Sequence, residues 1–130
     1  MQDRPTALEL LQAIEKFLDE QVVPATEGTT KFLTRVSVNS LRIIQRELRM
    51  EEQALEREWD GLNRLLGEEP RPHSLARLRE AVSRRNQQLA ERIQQGDADE
   101  GDWAASVFAH VRQAVHDKAA IADPRLIEAS

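Results

Sequence analysis

The chain has 130 residues, 40% hydrophobic and 32% charged, the proportions of one ordinary globular domain that holds together without metals or cross-links. Eighteen basic and 23 acidic residues leave a net charge of −5, which repels nucleic acid and anionic lipid, and the lack of cysteine removes disulfides, thiol nucleophiles and Cys-containing zinc sites. No run approaches the roughly 18 apolar residues of a membrane span, and the N-terminus has no apolar signal region, so a cytoplasmic location is expected.

Nine of the ten glycines and prolines fall between segments with helical periodicity, and Gly61 alone lies inside one. With no tyrosine and almost no alternating β-branched runs, little is left to build strands. The expected fold is all-α: a single domain, residues 1–130, forming a four- to five-helix bundle, up-down with a helical hairpin in the middle.

The first helix opens on a capping box, Thr6 with Glu9, and sets Leu10, Leu11, Ile14, Phe17, Leu18 and Val22 on one broad face before Pro24 and Gly28 end it. Thr29 or Thr30 caps a second helix, to about Arg49, with Phe32, Leu33, Val36, Leu41, Ile43, Ile44 and Leu48 on its apolar side. A third segment, residues 52–66, shows a narrow stripe of Leu55, Trp59, Leu62 and Leu66 and ends at Gly67. After the loop 68–73, Ser74 caps a fourth helix to about Gln95 with a seam of Leu75, Leu78, Val82, Leu89 and Ile93. These two narrow seams are expected to pair as the hairpin, with Trp59 and its leucines as a candidate homodimer surface. An acidic turn, residues 96–102, leads to a last helix capped by Asp102, with Trp103, Val107, Phe108, Val111, Ala114 and Val115 on a wide apolar face. It runs to about Lys118 or Ala120, before Asp123 and Pro124. The three broad-faced helices are expected to close around one interior.

Charge is blocky. Residues 51–70 carry seven acids and two bases, and residues 71–95 carry six bases and two acids, so the hairpin partners attract each other weakly. Arg77, Arg84, Arg85 and Arg92 read as a solvated basic face, as do Arg35, Arg42, Arg46 and Arg49.

Two charges interrupt apolar faces in projection: Glu47 on the second helix, beside Ser40, and Lys118 on the last. A lone buried charge costs several kcal/mol, so the two are expected to meet, with Asn39, Ser40 and His110 supplying further hydrogen bonds. One reading is an ion pair that fixes helix register, or Lys118 snorkelling at a helix end. The other is a small polar pocket for ligand binding or proton transfer. No metal site is expected: His73, His110 and His116 lack chelating spacing, and the Asp97, Asp99, Asp102 turn lacks the calcium-loop pattern. Ser106 and His110 share a helix face, but no nucleophile elbow, phosphate loop or dinucleotide fingerprint is present, so no catalytic residue and no cofactor is assigned.

The opening Arg4-Pro-Thr-Ala-Leu-Glu-Leu-Leu11, the stretch Phe32-Leu-Thr-Arg-Val-Ser-Val-Asn39 with Ile44-Gln-Arg-Glu-Leu48, and the closing His110-Val-Arg112, Asp117-Lys-Ala-Ala-Ile121 and Asp123-Pro-Arg125 resemble a bacterial family of helical domains of unknown function. The resemblance spans nearly the whole chain. Members of that family occur beside, or fused to, phosphotransferases of the aminoglycoside and choline kinase type, often near acyl-CoA dehydrogenase genes. The resemblance implies a protein partner of that kind and no established active site. Residues 50–53 lack the Gly or Pro expected at a break, which leaves open whether helices two and three are continuous. The expected function is a non-catalytic helical accessory protein. The alternative is a small enzyme or ligand sensor built around the polar residues of the bundle.

Overall fold

The computed structural model describes residues 3–128 and, among them, contains five α-helices and no strand, an all-α helical bundle. Helix α1, Ala7–Phe17, starts on the expected capping box: the Glu9 amide donates to the Thr6 hydroxyl at 3.2 Å and the Thr6 amide donates back to the Glu9 carboxylate at 3.4 Å. The chain then widens into a π-helical turn, Leu18–Val22, closed by the Val23 amide on the Leu18 carbonyl at 2.9 Å. Pro24 follows, and Thr26 donates its hydroxyl to the Val22 carbonyl at 2.9 Å.

Helix α2 runs unbroken over Gly28–Leu66, so the second and third predicted segments are one helix of 39 residues. With neither Gly nor Pro at 50–53, nothing interrupts its hydrogen-bond ladder there. It stops at Gly67, whose φ of 98° suits only glycine, with the Gly67 amide on the Asn63 carbonyl at 3.0 Å.

The chain forms two compact units, residues 1–50 and 51–130. In the first, Gln45 donates to Glu15 at 3.0 Å and Arg42 to Asp19 at 3.3 Å, so α1 and the π turn run antiparallel to the start of α2. Val23 and Val38 are buried there, whereas Leu10, Ile14, Phe17, Leu33, Ile44 and Leu48 are exposed.

The second unit holds the rest of α2, α3 (Leu75–Gln94), α4 (Asp102–Ala122) and the short α5 (Arg125–Glu128). Its core is Trp59, Leu62 and Leu65 of α2, Leu78, Ala81, Val82 and Leu89 of α3, and Val107 of α4. The narrow seams therefore make the principal core, and the expectation that three broad faces close around one interior is corrected. Trp59, proposed from sequence as part of a dimer surface, is only 2% exposed. The two seams do pair, but not as a tight turn-back. Arg71 of the loop reaches Glu56 at 2.7 Å, so the loop retraces α2 before α3 begins. Along α3, Arg79 meets Glu51, Asn86 meets Glu58 at 2.8 Å and Arg85 meets Asn63 at 3.2 Å, so α3 advances parallel to α2. Ser74 caps α3 as expected, accepting from the Arg77 amide at 3.1 Å.

Arg85 is not on a solvated face but 2% exposed. Its guanidinium donates to the Gly67 carbonyl at 2.8 Å, at the negative end of α2, lies 3.3 Å from Glu69 and stacks 5.7 Å from the Trp59 ring. The return loop covers it. Asp102 is the first residue of α4 rather than its cap; Gly101, at φ 96°, takes the cap position. Trp103 donates its indole N–H to the Leu65 carbonyl at 3.2 Å under the Arg92 guanidinium, 4.0 Å from the ring, which fixes α4 antiparallel to α2. No helix among the described residues is long and apolar enough to cross a membrane.

Candidate functional site

Within the second unit, α2 and α4 are joined by a row of polar contacts. Asp117, buried, accepts two parallel bonds from Arg57, Nε to Oδ2 and Nη2 to Oδ1, each 3.0 Å, and a third from Gln113 at 3.1 Å. This fork geometry is the strong form of a carboxylate–guanidinium pair. The hydrogen bond to Asp117 raises the Arg57 pKa further, against a small desolvation effect. At the next residue of each helix, the buried Glu58 accepts from Asn86 at 2.8 Å and lies 3.5 Å from the Lys118 ammonium.

Between these pairs and Trp103 lies a cleft of about 540 Å³, walled by Arg57, Asp60, Gly61 and Arg64 of α2 and by Trp103, Ser106, His110 and Gln113 of α4. Its geometry turns on Gly61. A Cβ there would stand 2.1 Å from Nδ1 and 2.7 Å from Cε1 of His110, so the imidazole lies directly on the helix backbone where a side chain would be. The half-buried ring has its pKa lowered below 6.5, chiefly by desolvation, with Arg64 and Lys118 adding to the shift and Glu58 opposing it. His110 is therefore neutral at pH 7. The cleft thus presents two guanidinium groups, one held by Asp117, a neutral imidazole and an indole wall, a set suited to an anionic ligand with an apolar portion.

The structure separates the residues that the sequence grouped. Glu47, Asn39 and Ser40 are exposed on the first unit, and Ser40 donates its hydroxyl to the Val36 carbonyl at 2.9 Å. His110 and Lys118 belong to the second unit. Lys118 meets Glu58 in place of Glu47, and its side chain is 67% exposed, so the expected buried pair is corrected on both partner and burial. The physical reason is helical phase: eleven residues are about three turns, so Glu47 and Glu58 share one face of the unbroken α2. Ser106 donates to the Asp102 carbonyl at 3.3 Å, turned to its own backbone. Sequence reasoning missed Arg57, Glu58 and Asp117. The usable signal was Gly61, the lone glycine inside a helical pattern.

Among the described residues no three His, Asp or Glu side chains form a metal-binding group. Neither a curated protein nor a solved structure matches the chain. One family does, over residues 24–126, a span that takes in α2, α3, α4, the cleft and both polar pairs. The chain therefore belongs to the family described as Domain of unknown function (DUF6285).

Proposed function

We propose that this chain is a non-catalytic accessory module that docks onto a kinase-fold phosphotransferase in the bacterial cytoplasm. The observation that carries the docking role is the outward stripe of α4. Phe108, Val111 and Val115 stand one above the other at helical spacing, with Leu126 of α5 also exposed, and Phe108 is 69% exposed. Contiguous large apolar side chains on a surface mark an interaction site. Phe108, Arg112 and His116 line a hollow of about 260 Å³ beside the stripe, which suits an apolar anchor with a polar rim. The partner's identity is supported by the family resemblance alone.

The test is binding of the purified chain to a kinase-fold phosphotransferase of the aminoglycoside or choline kinase type from the same organism, by biolayer interferometry. Phe108→Asp and Val115→Asp are each expected to weaken binding about tenfold or more, as loss of a buried anchor does. Absence of binding by the unaltered chain, or full binding by both variants, refutes the proposal.

A second reading rests on the cleft. Its volume lies within the range of small-molecule sites, and Arg57, Arg64 and His110 converge on it. A sensor of a small acyl or phosphorylated anion would show a thermal shift with such compounds that Arg64→Ala abolishes.

A further inference from the structure

Two guanidinium groups are not the whole charge of the cleft between α2 and α4. Asp60 lines it as well, four residues before Arg64 on the same helix. An acid four residues ahead of a base is the spacing at which exposed helical side chains pair directly. Here neither Asp60 nor Arg64 makes an ion pair or hydrogen bond among the described residues. Arg57 is matched by Asp117, so the charges left open to the cleft are one acid and one base, beside a neutral imidazole. Gln113 turns its amide N–H to the Asp117 carboxylate at 3.1 Å, which leaves its carbonyl oxygen as the group it offers a ligand.

Helical phase sorts these groups. At about 100° per residue, Arg57, Gly61 and Arg64 fall within about 60° of one another on α2, and Asp60 lies about 40° beyond Arg64. On α4, Gln113 lies about 60° round from His110 in the same sense. The helices are antiparallel, and the Arg57–Asp117 pair marks that side as shared, so the donors stand next to the seam and the two acceptors stand further out along one side of the groove. In the register set by Arg57 on Asp117 and Gly61 on His110, Gln113 is within one turn of the level of Asp60.

We infer that the cleft takes a small zwitterion, an α-amino acid with an apolar side chain, its carboxylate on Arg64 and its ammonium on Asp60 and Gln113. The inference rests on the cleft being a ligand site and narrows its anion to one that carries an ammonium beside the acid group. A bare anion on Arg64 would face the Asp60 carboxylate as a like charge, and a dianion more strongly; an ammonium next to the acid turns that repulsion into a contact. The spacing selects the α-amino acid. Side chains four apart on a helix have Cβ atoms about 5–6 Å from each other, so a ligand meets both with charges only a few bonds apart, as on a single Cα. Leu65 and Trp103 supply the apolar wall at the Arg64 end.

Isothermal titration calorimetry of the full chain tests it. The probes are L-leucine and L-phenylalanine; isocaproate and hydrocinnamate, which lack the ammonium; isopentylamine and phenethylamine, which lack the carboxylate; and inorganic phosphate. An amino acid is expected to bind with a Kd below about 1 mM, and removal of either charge from it to weaken binding about tenfold or more. Asp60→Asn is expected to weaken the amino acid about tenfold and to leave the matching carboxylate unweakened, whereas Arg64→Gln is expected to weaken both. Both side chains are exposed and unpaired, so the two variants should keep the urea midpoint of the unaltered chain. A carboxylate that binds as tightly as its amino acid, phosphate that binds more tightly than either amino acid, or Asp60→Asn with unchanged amino-acid affinity overturns the inference and leaves the anion site standing. Binding by none of these probes at about 10 mM, or an amine as tight as its amino acid, overturns both.

Discussion

Replacing Gly61 by alanine sets two effects of opposite sign against each other. Alanine in a helix interior is favoured over glycine by about 1 kcal/mol, the gain expected wherever the site is open. Here the new methyl would stand 2.1 Å from Nδ1, 2.7 Å from Cε1 and 3.3 Å from Cγ of His110, so three ring atoms obstruct it and the imidazole must leave its seat. Forcing an extra methyl into an occupied contact costs about 1–3 kcal/mol. The net expectation for Gly61→Ala is destabilisation by about 1 kcal/mol. In the His110→Ala background the obstruction is gone and the same change should stabilise by about 1 kcal/mol, giving a coupling near 2 kcal/mol. Urea unfolding followed by tryptophan fluorescence is the suitable assay. Trp59 and Trp103 both lie in the second unit, so the signal reports the unit that contains the site. Additivity of the two changes within about 0.5 kcal/mol, or stabilisation by Gly61→Ala alone, would refute the seating of His110 on Gly61.

Other perturbations test the core and the charges. Leu62→Ala removes a fully buried side chain between α2 and its neighbours and should cost about 3 kcal/mol in the same unfolding assay; a cost below about 1 kcal/mol would mean the site is not closed. Arg85→Met keeps much of the apolar stem but leaves the Gly67 carbonyl and the Asn63 side-chain oxygen without their donor. Destabilisation by about 2–3 kcal/mol is expected, and an unchanged urea midpoint would contradict the role assigned to Arg85. The lowered pKa of His110 gives a pH dependence of definite sign. As pH falls below 6.5 the unfolded chain takes up the proton before the folded one, so stability declines, by at most about 1.4 kcal/mol per pH unit from this group, and levels off below the folded pKa. His110→Gln should flatten the stability profile between about pH 7.5 and 5.5; parallel profiles for the two proteins would remove desolvation of His110 as a factor.

The sequence by itself determined the helical class, the capping box at Thr6, the cap at Ser74, the stops at Gly67 and before Pro124, and the apolar phase of each segment. These depend on contacts within four residues or on a 3.6-residue repeat, which the order of residues states directly. It also singled out Gly61, but it paired Lys118 with Glu47, three turns along α2 from the Glu58 that Lys118 meets. Only the tertiary structure decided the rest. Periodicity says that a face is apolar but not what covers it, so the narrow seams of Trp59 and Leu78 became the core while the broader stripe of Leu33 and Ile44 stayed open. The direction of α3 was fixed by the path of the loop through Glu69 and Arg71, and the pairing of Arg57 with Asp117 spans 60 positions. Such contacts leave no local signature, because a charge on a helix reads the same whether its partner is water or a side chain brought there by the fold.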